Sequence, residues 1–502
     1  MTLTFTDIFC GAGGSSIGLA AAGFELRLAA NHWQRAVETH SSNFRDADHL
    51  CADVNNYDMR RLPRTDVLWA SPICTEASPA GGRRRSKKPA AGQLDLLADG
   101  AVEQAGFTRT RATFHDVIRA TEVHRYTAVL VENVVEVAWD WELFDWWVDG
   151  MCRLGYDVQF VSVSSAHVGG PGNPYAPQWR DRLYLVFTRT GVPLPDVAPR
   201  PLARCRDCDQ DVHAVQSWKP DVRSYGPRRA PVGKYRAQYV YRCPNTRCRH
   251  ALVEPYVLPA AAVIDWSNTG ARIGDRARPL AASTMARIRA GLEMYAEPAI
   301  VRSCGADNPG TEHMRVRPAA GDALGTQLTS GSHALLVPVG GTWNDTAYPT
   351  GLPMRTRTAN PKGYESIVVP PGAFVVKNYT PRGSHRQMVK DATTEPLGAL
   401  TLQDHHGLVI PYRKGKAKRA SEPLHTLSTI DSAGVLRPAV DPLDCHYRML
   451  QPREQLRAQR FPDTYLVTGN KGEQTMQAGA AVSSNVAQWL GQRVAAALGD
   501  GR

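Results

Sequence analysis

The sequence lacks the features that would direct it into or across a membrane. No stretch reaches the roughly 20 consecutive apolar residues of a membrane-spanning helix, because charges, glycine or proline interrupt every candidate. The first residues, MTLTFTDIFCGAGG, lack the basic start, apolar core and small-residue cleavage site of a secretory signal. We therefore expect a protein without a membrane segment, located in the cytoplasm.

Positive charge is what the chain has in excess. Its 502 residues include 59 Lys and Arg against 48 Asp and Glu, a formal net charge of +11. Such an excess favours a polyanionic partner, because each Lys or Arg that meets a phosphate strengthens binding. Many basic proteins bind no nucleic acid, so charge alone does not decide the matter. The length and the 43% hydrophobic content suit two or three domains.

Apolar runs and helical patterns alternate over residues 1–195. Strands are predicted for TLTFTDIF, ELRLAAN, TDVLWAS, YTAVLVENV, YDVQFVSVSS and DRLYLVFTR. A glycine turn leads from the first strand into a helix, and DWELFDWWVDGMCRLG has the pattern of a crossover helix ended by Gly155. This alternation predicts an α/β, Rossmann-like, doubly wound parallel sheet with ligands at the carboxyl ends of its strands.

The middle of the chain, residues 196–440, differs in character from both ends. It is rich in Pro, Gly, Arg and Thr and contains short β-like runs, which predict a separate strand-rich domain. A loose phrase (RPLAAST, DALGTQLTSGSHALLVP, EPLGALTLQDHHGLVIP, EPLHTLSTIDSAGVL) recurs at uneven spacing, so hairpins are favoured over a solenoid. Helical patterns return in residues 441–502, which indicates one α/β domain interrupted by an insertion.

Two segments follow predicted strands with residues suited to chemistry. Residues 7–14 (DIFCGAGG) place glycines at a strand-to-helix junction, where the backbone can approach a ligand, although some such turns bind nothing. Cys74 follows the strand TDVLW, a position suited to a nucleophile, with the basic run GGRRRSKK downstream to favour its thiolate. The alternative for Cys74 is a buried structural thiol.

Acidic and basic candidates follow two later strands. Glu132, in the tripeptide ENV, can exchange a proton at a strand end, or it is a solvated loop acid. Arg180 and Arg182, in QWRDR, lie on one side of a strand start, where they can hold a phosphate or base edge or form surface pairs.

Four cysteines in the middle domain form two tight pairs. Cys205 and Cys208 have C-x2-C spacing, Cys243 and Cys248 have C-x4-C spacing, and the surrounding turns are polar. This arrangement predicts a zinc-binding unit at about residues 205–250, with His213 and His250 as alternative ligands. Four unrelated thiols are the other interpretation.

In identity, order and spacing these segments together resemble the DNA cytosine-5 methyltransferase family. That family has a DxFxGxGG turn, a proline-cysteine loop, an ENV tripeptide, a QxRxR segment and a late PRE, FPD and GNxV tail. The tail here comprises residues 448–454 (RMLQPRE), 461–463 (FPD) and 479–482 (GAAV). The resemblance covers residues 1–190 and 441–500, and the family has its target recognition domain in the region between.

The resemblance implies S-adenosylmethionine as methyl donor and a cytosine flipped out of double-stranded DNA as acceptor. Cys74 would attack carbon 6 of the base, Glu132 would hold its N3 and amine side, and the two arginines would steady the nucleotide. Positions that match the cofactor pocket of the family are Phe9, Gly11, Gly13, Gly14, Trp33, Asp53, Pro72 and Val482. Within this pocket Trp33 would stack on adenine and Asp53 would accept from its amino group.

Some positions depart from the family pattern. His32 replaces the acid that holds the ribose hydroxyls, Ile73 and Thr75 flank the cysteine in place of Pro and Gln, and Ala480 replaces Asn. His32 and Ala480 favour an alternative, a catalytically silent DNA-binding relative. A second alternative is an RNA cytosine-5 methyltransferase, against which the large middle domain argues.

The resemblance implies double-stranded DNA as the partner, in the cytoplasm of a bacterial or phage-infected cell. We expect the protein to be a monomer. Sequence discrimination would then fall to the middle domain, because contacts to phosphates and one extruded base carry little sequence information. Suitable groove-reading side chains in the recurring phrases are those of Gln327, Thr329, Gln403, His405 and His406.

Overall fold

The computed structural model of the chain describes the two ends and part of the middle. The described residues are 2–73, 100–258, 260–282, 284–286, 288–289 and 441–499, with Met354 and the backbone of short strands between 299 and 435. Within residues 100–111 only the backbone is described. Cys74 and Thr75 lie outside the described residues, as do the proposed groove readers Gln327, Thr329, Gln403, His405 and His406.

A seven-stranded sheet forms the centre of the first 189 residues, with strand order β3-β2-β1-β4-β5-β7-β6. The strands are β1 (Thr4–Ile8), β2 (Glu25–Asn31), β3 (Asp48–Cys51), β4 (Val67–Ala70), β5 (Ala128–Asn133), β6 (Tyr156–Ser164) and β7 (Asp181–Arg189). The first five, β1 to β5, run parallel to one another. Central strands such as β4 are buried along their whole length, because helices cover both faces of the sheet.

The prediction of a purely parallel sheet is wrong at one strand. β7 runs antiparallel to both β5 and β6. Strand direction depends on the connection, and parallel neighbours usually need a crossover helix between them. Between β6 and β7 the chain forms only the short 3-10 turn Ser165–His167, so it returns antiparallel.

Helices pack on both faces of this sheet. They are α1 (Gly14–Ala21), α2 (Gln34–Asn43), α3 (Gly100–His124), α4 (Glu136–Asp140), α5 (Phe144–Arg153), α6 (Pro452–Arg457), α7 (Lys471–Ala480) and α8 (Ser484–Gly499). Leu19 of α1 and Leu490 of α8 share one apolar core, whereas Phe114 of α3 and Trp147 of α5 belong to the core on the opposite face. Among the described helices, none is long and apolar enough to cross a membrane.

The helix predicted for DWELFDWWVDGMCRLG is broken in the structure. The first residue of that segment ends α4, and α5 begins four residues later at Phe144. Gly155 follows α5 with a φ of 89°, a conformation that suits glycine at a helix end. The end of the chain closes on its beginning, since a Cβ atom at Gly18 of α1 would collide with Ala487 of α8.

The middle of the chain contains many short strands. Residues 202–258, the cysteine unit, include β8 (Leu202–Cys205), β9 (Gln210–His213), β10 (Val215–Trp218), β11 (Ser224–Tyr225), β12 (Ala230–Pro231), β13 (Tyr239–Arg242) and β14 (Leu252–Val253). The next strands are β15 (Ala271–Arg272), β16 (Ala299–Val301), β17 (Val316–Pro318), β18 (Leu335–Val339), β19 (Tyr348–Pro349) and β20 (Tyr364–Val369). The last are β21 (Phe374–Lys377), β22 (Met388–Asp391), β23 (Leu408–Pro411), β24 (Lys418–Arg419), β25 (Ala433–Val435) and β26 (His446–Met449).

The C-terminal part of the chain is joined to the middle region by β26, which comes directly before α6. β26 lies between β15 and β20 in a five-stranded sheet. Arg448, in β26, forms a two-pronged ion pair with Glu454 of α6, with N–O distances of 2.7 and 2.8 Å. Glu454 also accepts from the backbone N–H groups of Gln451, at the start of α6, and of Asp265. The PRE segment of the tail therefore fixes α6 against residues of the middle region.

Candidate active site and cysteine cluster

The ends of five strands bring the sequence-predicted site residues to one edge of the sheet. β1 to β5 are parallel, so their carboxyl ends lie side by side, and ligand sites of open α/β sheets form at such an edge. The glycine turn follows β1, Trp33 follows β2, Asp53 follows β3, Pro72 follows β4, and Glu132 lies near the end of β5.

Two glycines of the turn allow close packing of the C-terminal segment. Gly13 has a φ of 94°, and a Cβ atom there would collide with the Tyr465 hydroxyl. A Cβ atom on Gly14 would collide with the carbonyl oxygen of the buried Val482. Tyr465 also donates its hydroxyl hydrogen to the Ala12 carbonyl at 2.6 Å. The turn therefore requires glycine here because the end of the chain packs against it.

Gly11 differs from its neighbours because space is open beside it. Its φ is 54°, and the nearest other atom to a Cβ atom built there, the Ala480 carbonyl oxygen, is 4.0 Å away. Phe9, at the start of the turn, is also in the left-handed region with a φ of 61°. Non-glycine residues in this region are concentrated at functional sites. A ligand can approach the Gly11 backbone from this space.

Trp33 and Asp53 lie at adjacent strand ends beside the turn. β2 and β3 pair in parallel, and the Ala52 N–H donates to the Asn31 carbonyl just beyond them. Trp33 is half-buried, and its N–H donates to the Asn31 side chain at 2.9 Å. Asp53 is half-buried and accepts the Asn55 N–H at 3.2 Å. An open glycine turn, an aromatic ring and a carboxylate at three neighbouring strand ends fit an adenosine-containing ligand.

A buried polar network behind the turn is absent from the sequence-based predictions. Asp7 of β1 accepts hydrogen bonds from the hydroxyls of Ser15 and Ser16 at 2.6 and 2.7 Å. His40 of α2 is within 3.0 Å of the Ser16 hydroxyl and within 2.9 Å of a ring nitrogen of His49. Burial raises the pKa of Asp7 to about 7, against the lowering effect of the two hydroxyls. Burial and the neighbouring His49 lower the pKa of His40 to about 3.

Glu132 and Arg182 form a buried ion pair at the β5–β7 junction. The Arg182 Nε donates to Glu132 Oε1 at 3.0 Å, and each side chain is only 10% exposed. A second nitrogen of Arg182 donates to the Asp181 carbonyl at 2.9 Å, which fixes the guanidinium on its own strand. The sequence predicted both residues for the site, and the structure brings them into direct contact.

The start of the Cys74 loop is tied to the same place. The Asn133 side chain, next to Glu132, donates to the Pro72 carbonyl at 2.9 Å. The Ile73 N–H donates to the Thr113 hydroxyl at 3.1 Å. Pro72 and Ile73, the last described residues before Cys74, are therefore held beside β5 and α3. Neither Asn133 nor Thr113 was assigned this role from sequence, because each hydrogen bond spans 40 residues or more.

Arg180 has a different environment from Arg182. Its guanidinium is buried and donates to the Ala481 carbonyl at 2.7 Å, with the Gly479 carbonyl 3.5 Å away. Burial and the nearby positive charge of Arg182 lower its pKa to about 9. The structure thus places Arg180 at the end of α7, where it fixes the C-terminal segment to the sheet.

The four predicted cysteines converge in the cysteine unit. The Sγ atoms of Cys205, Cys208, Cys243 and Cys248 all lie within 4.8 Å of one another. Such a group of four thiols suits tetrahedral zinc. His213 and His250, the alternative ligands, lie outside this group and are exposed on the surface.

The two cysteine pairs have matching turn geometry. The residue directly after each second cysteine, Asp209 or Arg249, has a left-handed φ of 51° or 52°. In both turns its N–H donates to the carbonyl of the residue three positions earlier, Arg206 or Thr246, at 3.2 and 2.9 Å. Left-handed non-glycine residues persist where the surrounding structure imposes them. The repeated geometry points both pairs of sulfur atoms inward.

The sheet, the glycine turn and the Glu132–Arg182 pair fit the Rossmann-like methyltransferase class. Residues 3–202 match the family model described as C-5 cytosine-specific DNA methylase. Over this part of its length the chain is therefore similar to the cytosine-5 DNA methyltransferases.

Individual relatives extend the comparison. The chain is 25% identical over 214 residues to the type II methyltransferase M.NgoBI of Neisseria gonorrhoeae, covering 41% of this chain and 58% of that protein. It is 22% identical over 517 residues to M.AgeI of Thalassovita gelatinovora, covering 98% of this chain and 99% of that protein. A solved Entamoeba histolytica methyltransferase, EhMeth, aligns with a TM-score of 0.45 at 10% identity, covering 100% of this chain and 99% of that one. The chain thus spans less than two thirds of M.NgoBI and 38% of M.BanI from Aneurinibacillus aneurinilyticus.

Proposed function

We propose that this protein transfers a methyl group from S-adenosylmethionine to carbon 5 of a cytosine flipped out of double-stranded DNA. The observation that carries the proposal is the Glu132–Arg182 pair beside the tethered start of the Cys74 loop. Attack on a pyrimidine ring requires a nucleophile, an acid and a cation. Three neighbouring strands would supply these groups at one edge of the sheet. The match of residues 3–202 to the model described as C-5 cytosine-specific DNA methylase supports the same chemistry.

In this proposal the chain's own residues act on the extruded base. The Cys74 sulfur adds to carbon 6, which turns carbon 5 into a nucleophile. Glu132 holds the N3 and amine side of the ring, and Arg182 keeps the Glu132 carboxylate in place. After carbon 5 has been methylated it releases its proton to water, and the electrons of that C–H bond form the double bond between carbons 5 and 6. The sulfur leaves carbon 6 as a thiolate, which restores the aromatic ring. The base must be extruded because a stacked ring hides both of its faces.

The cofactor pocket is proposed at the ends of β1, β2 and β3. S-adenosylmethionine, when bound, supplies the electrophilic methyl group. Gly11 would admit it close to the backbone, Trp33 would stack on its adenine, and Asp53 would accept from the adenine amino group. Phe9, Gly13, Gly14, Pro72 and Val482 complete the set of residues proposed to shape this pocket.

Two further assignments belong to the proposal. The region 196–440 would contain the target recognition domain, inserted between the catalytic segments 1–195 and 441–502. The four cysteines would hold one structural zinc ion, for which four converging sulfur atoms are the support. Since several relatives are named type II methyltransferases, the mark would suit a modification enzyme of a restriction–modification pair.

The first prediction tests Cys74 as the nucleophile. DNA that contains 5-fluorocytosine should trap the protein covalently in the presence of S-adenosylmethionine, because fluorine cannot leave carbon 5 as a proton does. Cys74→Ser should abolish the adduct, which denaturing gel electrophoresis detects as a shifted band. Bisulfite sequencing of DNA from cells that express the wild-type protein should reveal 5-methylcytosine and its sequence context.

The matched control is Cys152→Ser. Cys152 is a free, partly buried thiol at the end of α5, away from the β4–β5 strand ends, so this variant should trap as the wild type does. An adduct that survives Cys74→Ser contradicts the assignment of the nucleophile. Absence of methylation by the folded wild-type protein contradicts the proposed function itself.

A further inference from the structure

Residues 178–182, the arginine segment, make different contacts on their two sides. In extended backbone, successive side chains point in opposite directions. Arg180 and Arg182 point toward α7 and Glu132, respectively, on one side. Trp179 and Asp181 therefore point the other way, and both contact the cysteine unit.

The contacts on this second side are specific. A side-chain oxygen of Asp181 accepts the Tyr235 backbone N–H at 3.1 Å. The Trp179 ring stacks on the Tyr235 ring, with 6.0 Å between ring centroids and 15° between ring planes. His167 is buried beside these residues, and its ring meets those of Trp179 and Tyr235 edge-on. The rear of the arginine segment is thus packed against a rigid aromatic surface.

That surface is continuous with the cysteine cluster. Tyr235, Tyr239 and Tyr241 form one apolar core with Cys205 and Cys243, and Trp179 packs against this core. The Tyr235 hydroxyl donates to Glu254 at 2.5 Å. The turns that hold the sulfur atoms and the support of the arginine segment therefore share one small core.

The cysteine unit is also anchored to the strand beside β7. The Gly233 N–H donates to the Ser162 hydroxyl at 3.2 Å, and the Gln216 side chain donates to the Ser162 carbonyl at 2.8 Å. Arg228 pairs with Asp157 of β6 at 2.7 Å, on the exposed side of the contact. The cysteine unit therefore contacts both β6 and the arginine segment, on the side of β7 that faces away from Glu132.

We propose that the cysteine unit is the rear support of the arginine segment, with Asp181 and Trp179 as positioning residues for Arg182. The proposal rests on the function proposed above, in which Arg182 holds Glu132 against the base. Displacement of reacting groups by 1 Å or so can reduce a rate by roughly a hundredfold. Without the Asp181 carboxylate, the Tyr235 N–H has lost its acceptor and the start of β7 can shift. The pocket at β1 to β3 stays intact.

The test compares Asp181→Ala with the conservative variant Asp181→Asn, which keeps an acceptor oxygen. Methyl transfer from radiolabelled S-adenosylmethionine to unmethylated bacterial genomic DNA is measured under saturating conditions. We expect Asp181→Ala to lower kcat by roughly tenfold to a hundredfold, with an unchanged KM for S-adenosylmethionine and unchanged metal content. Asp181→Asn should recover most of the rate.

Asp157→Ala is the matched control, because it also removes a contact between the sheet and the cysteine unit, but far from the arginines. It should keep the wild-type kcat. If Asp181→Ala does not fold, Trp179→Leu is compared with Trp179→Phe, and only the leucine variant should lose kcat.

The outcomes separate the two proposals. If the wild type is active and Asp181→Ala is equally active, the cysteine unit does not support the arginine segment. An Asp181→Asn variant as slow as the alanine variant contradicts the proposal in the same way. A wild type without methyl transfer in this assay overturns the proposed function instead.

Discussion

Glu132 and Arg182 show how the site can be ready before any substrate arrives. Both side chains are almost withdrawn from water, and a charge in such a place needs its partner because an uncompensated buried charge is strongly destabilising. Arg182 is held a second time by the Asp181 carbonyl, so the carboxylate of Glu132 meets a cation of fixed position. Preorganised groups of this kind need little rearrangement during reaction.

The second prediction is therefore that Glu132→Gln damages both activity and stability. Glutamine keeps the shape but removes the charge that pairs with Arg182 and the group that exchanges protons with the base. We expect methyl transfer to fall by roughly a hundredfold to ten-thousandfold. The free energy of unfolding should fall by about 1–3 kcal/mol, since Arg182 loses its counter-charge. Methylation assays and urea unfolding measure the two effects.

Asp149→Asn provides the control for this variant. Asp149 pairs with Arg153 on the exposed surface of α5, at 2.6 Å. An exposed pair contributes less than about 1 kcal/mol, so neither stability nor rate should change appreciably. A Glu132→Gln protein that methylates at the wild-type rate would contradict the role given to the carboxylate.

At the level of elements, strands and helices with long buried apolar runs were the ones that could be predicted from the sequence. β2 and β7 match their predicted bounds, Glu25–Asn31 and Asp181–Arg189, because apolar runs buried in the sheet stand out in any sequence. α2 and α7 were missed because both are short and mostly polar. The direction of β7 depends on its connection, which a strand's own residues do not encode.

The site was predictable in part for a related reason. Residues at the end of an apolar strand or just after one, such as Glu132 and Pro72, could be placed at one edge once the strands were recognised. Partners from distant segments could not, as the contact of Arg180 with Ala481 shows, because these residues are 301 positions apart.

The third prediction concerns the cysteine unit as an element. Its apolar core is small, and a unit of this size gains stability from a metal cross-link. Metal analysis should find about one zinc per chain, and Cys243→Ser should lower both the zinc content and the melting temperature. Cys445→Ser removes a buried thiol outside the cluster and should leave the zinc content unchanged. A fully stable, metal-free protein would exclude the site.

On the scale of the whole molecule, distant parts of the sequence meet around the arginine segment. The C-terminal segment reaches it through Arg180, and the cysteine unit reaches it through Asp181. The PRE segment ties the tail to the middle region through Glu454 and Asp265. Substitutions in any of these parts can therefore change the environment of the single strand β7.

Buried titratable groups in this assembly act on stability in opposite directions. Burial raises the pKa of Asp7 to about 7, so the stability this group provides in its neutral form is lost as pH rises from 3.8 toward 7. Burial lowers the pKa of His40 and His167 to about 3, so these groups destabilise the fold as pH falls below 6.5. The pH dependence of the wild type is a sum, and a single group is isolated by comparing a variant with the wild type.

The last prediction isolates His167, which lies buried between the arginine segment and the cysteine unit. Neither ring nitrogen has a hydrogen-bond partner among the described residues, and the aromatic rings around it leave an imidazolium without a counter-charge. Because its folded pKa lies below the unfolded value of 6.5, acid favours the unfolded chain by about 1.4 kcal/mol per pH unit below 6.5. His167→Phe keeps an aromatic ring there and removes this proton uptake.

The stability of His167→Phe relative to the wild type should therefore grow by about 2 kcal/mol between pH 7 and pH 5, as measured by urea unfolding at both values. His213→Phe, at an exposed histidine of the cysteine unit, should show no such change between the two pH values. If the difference between His167→Phe and the wild type is the same at pH 7 and pH 5, His167 does not take up a proton on unfolding. The neutral histidine buried behind the arginine segment would then have no part in the acid response of the protein.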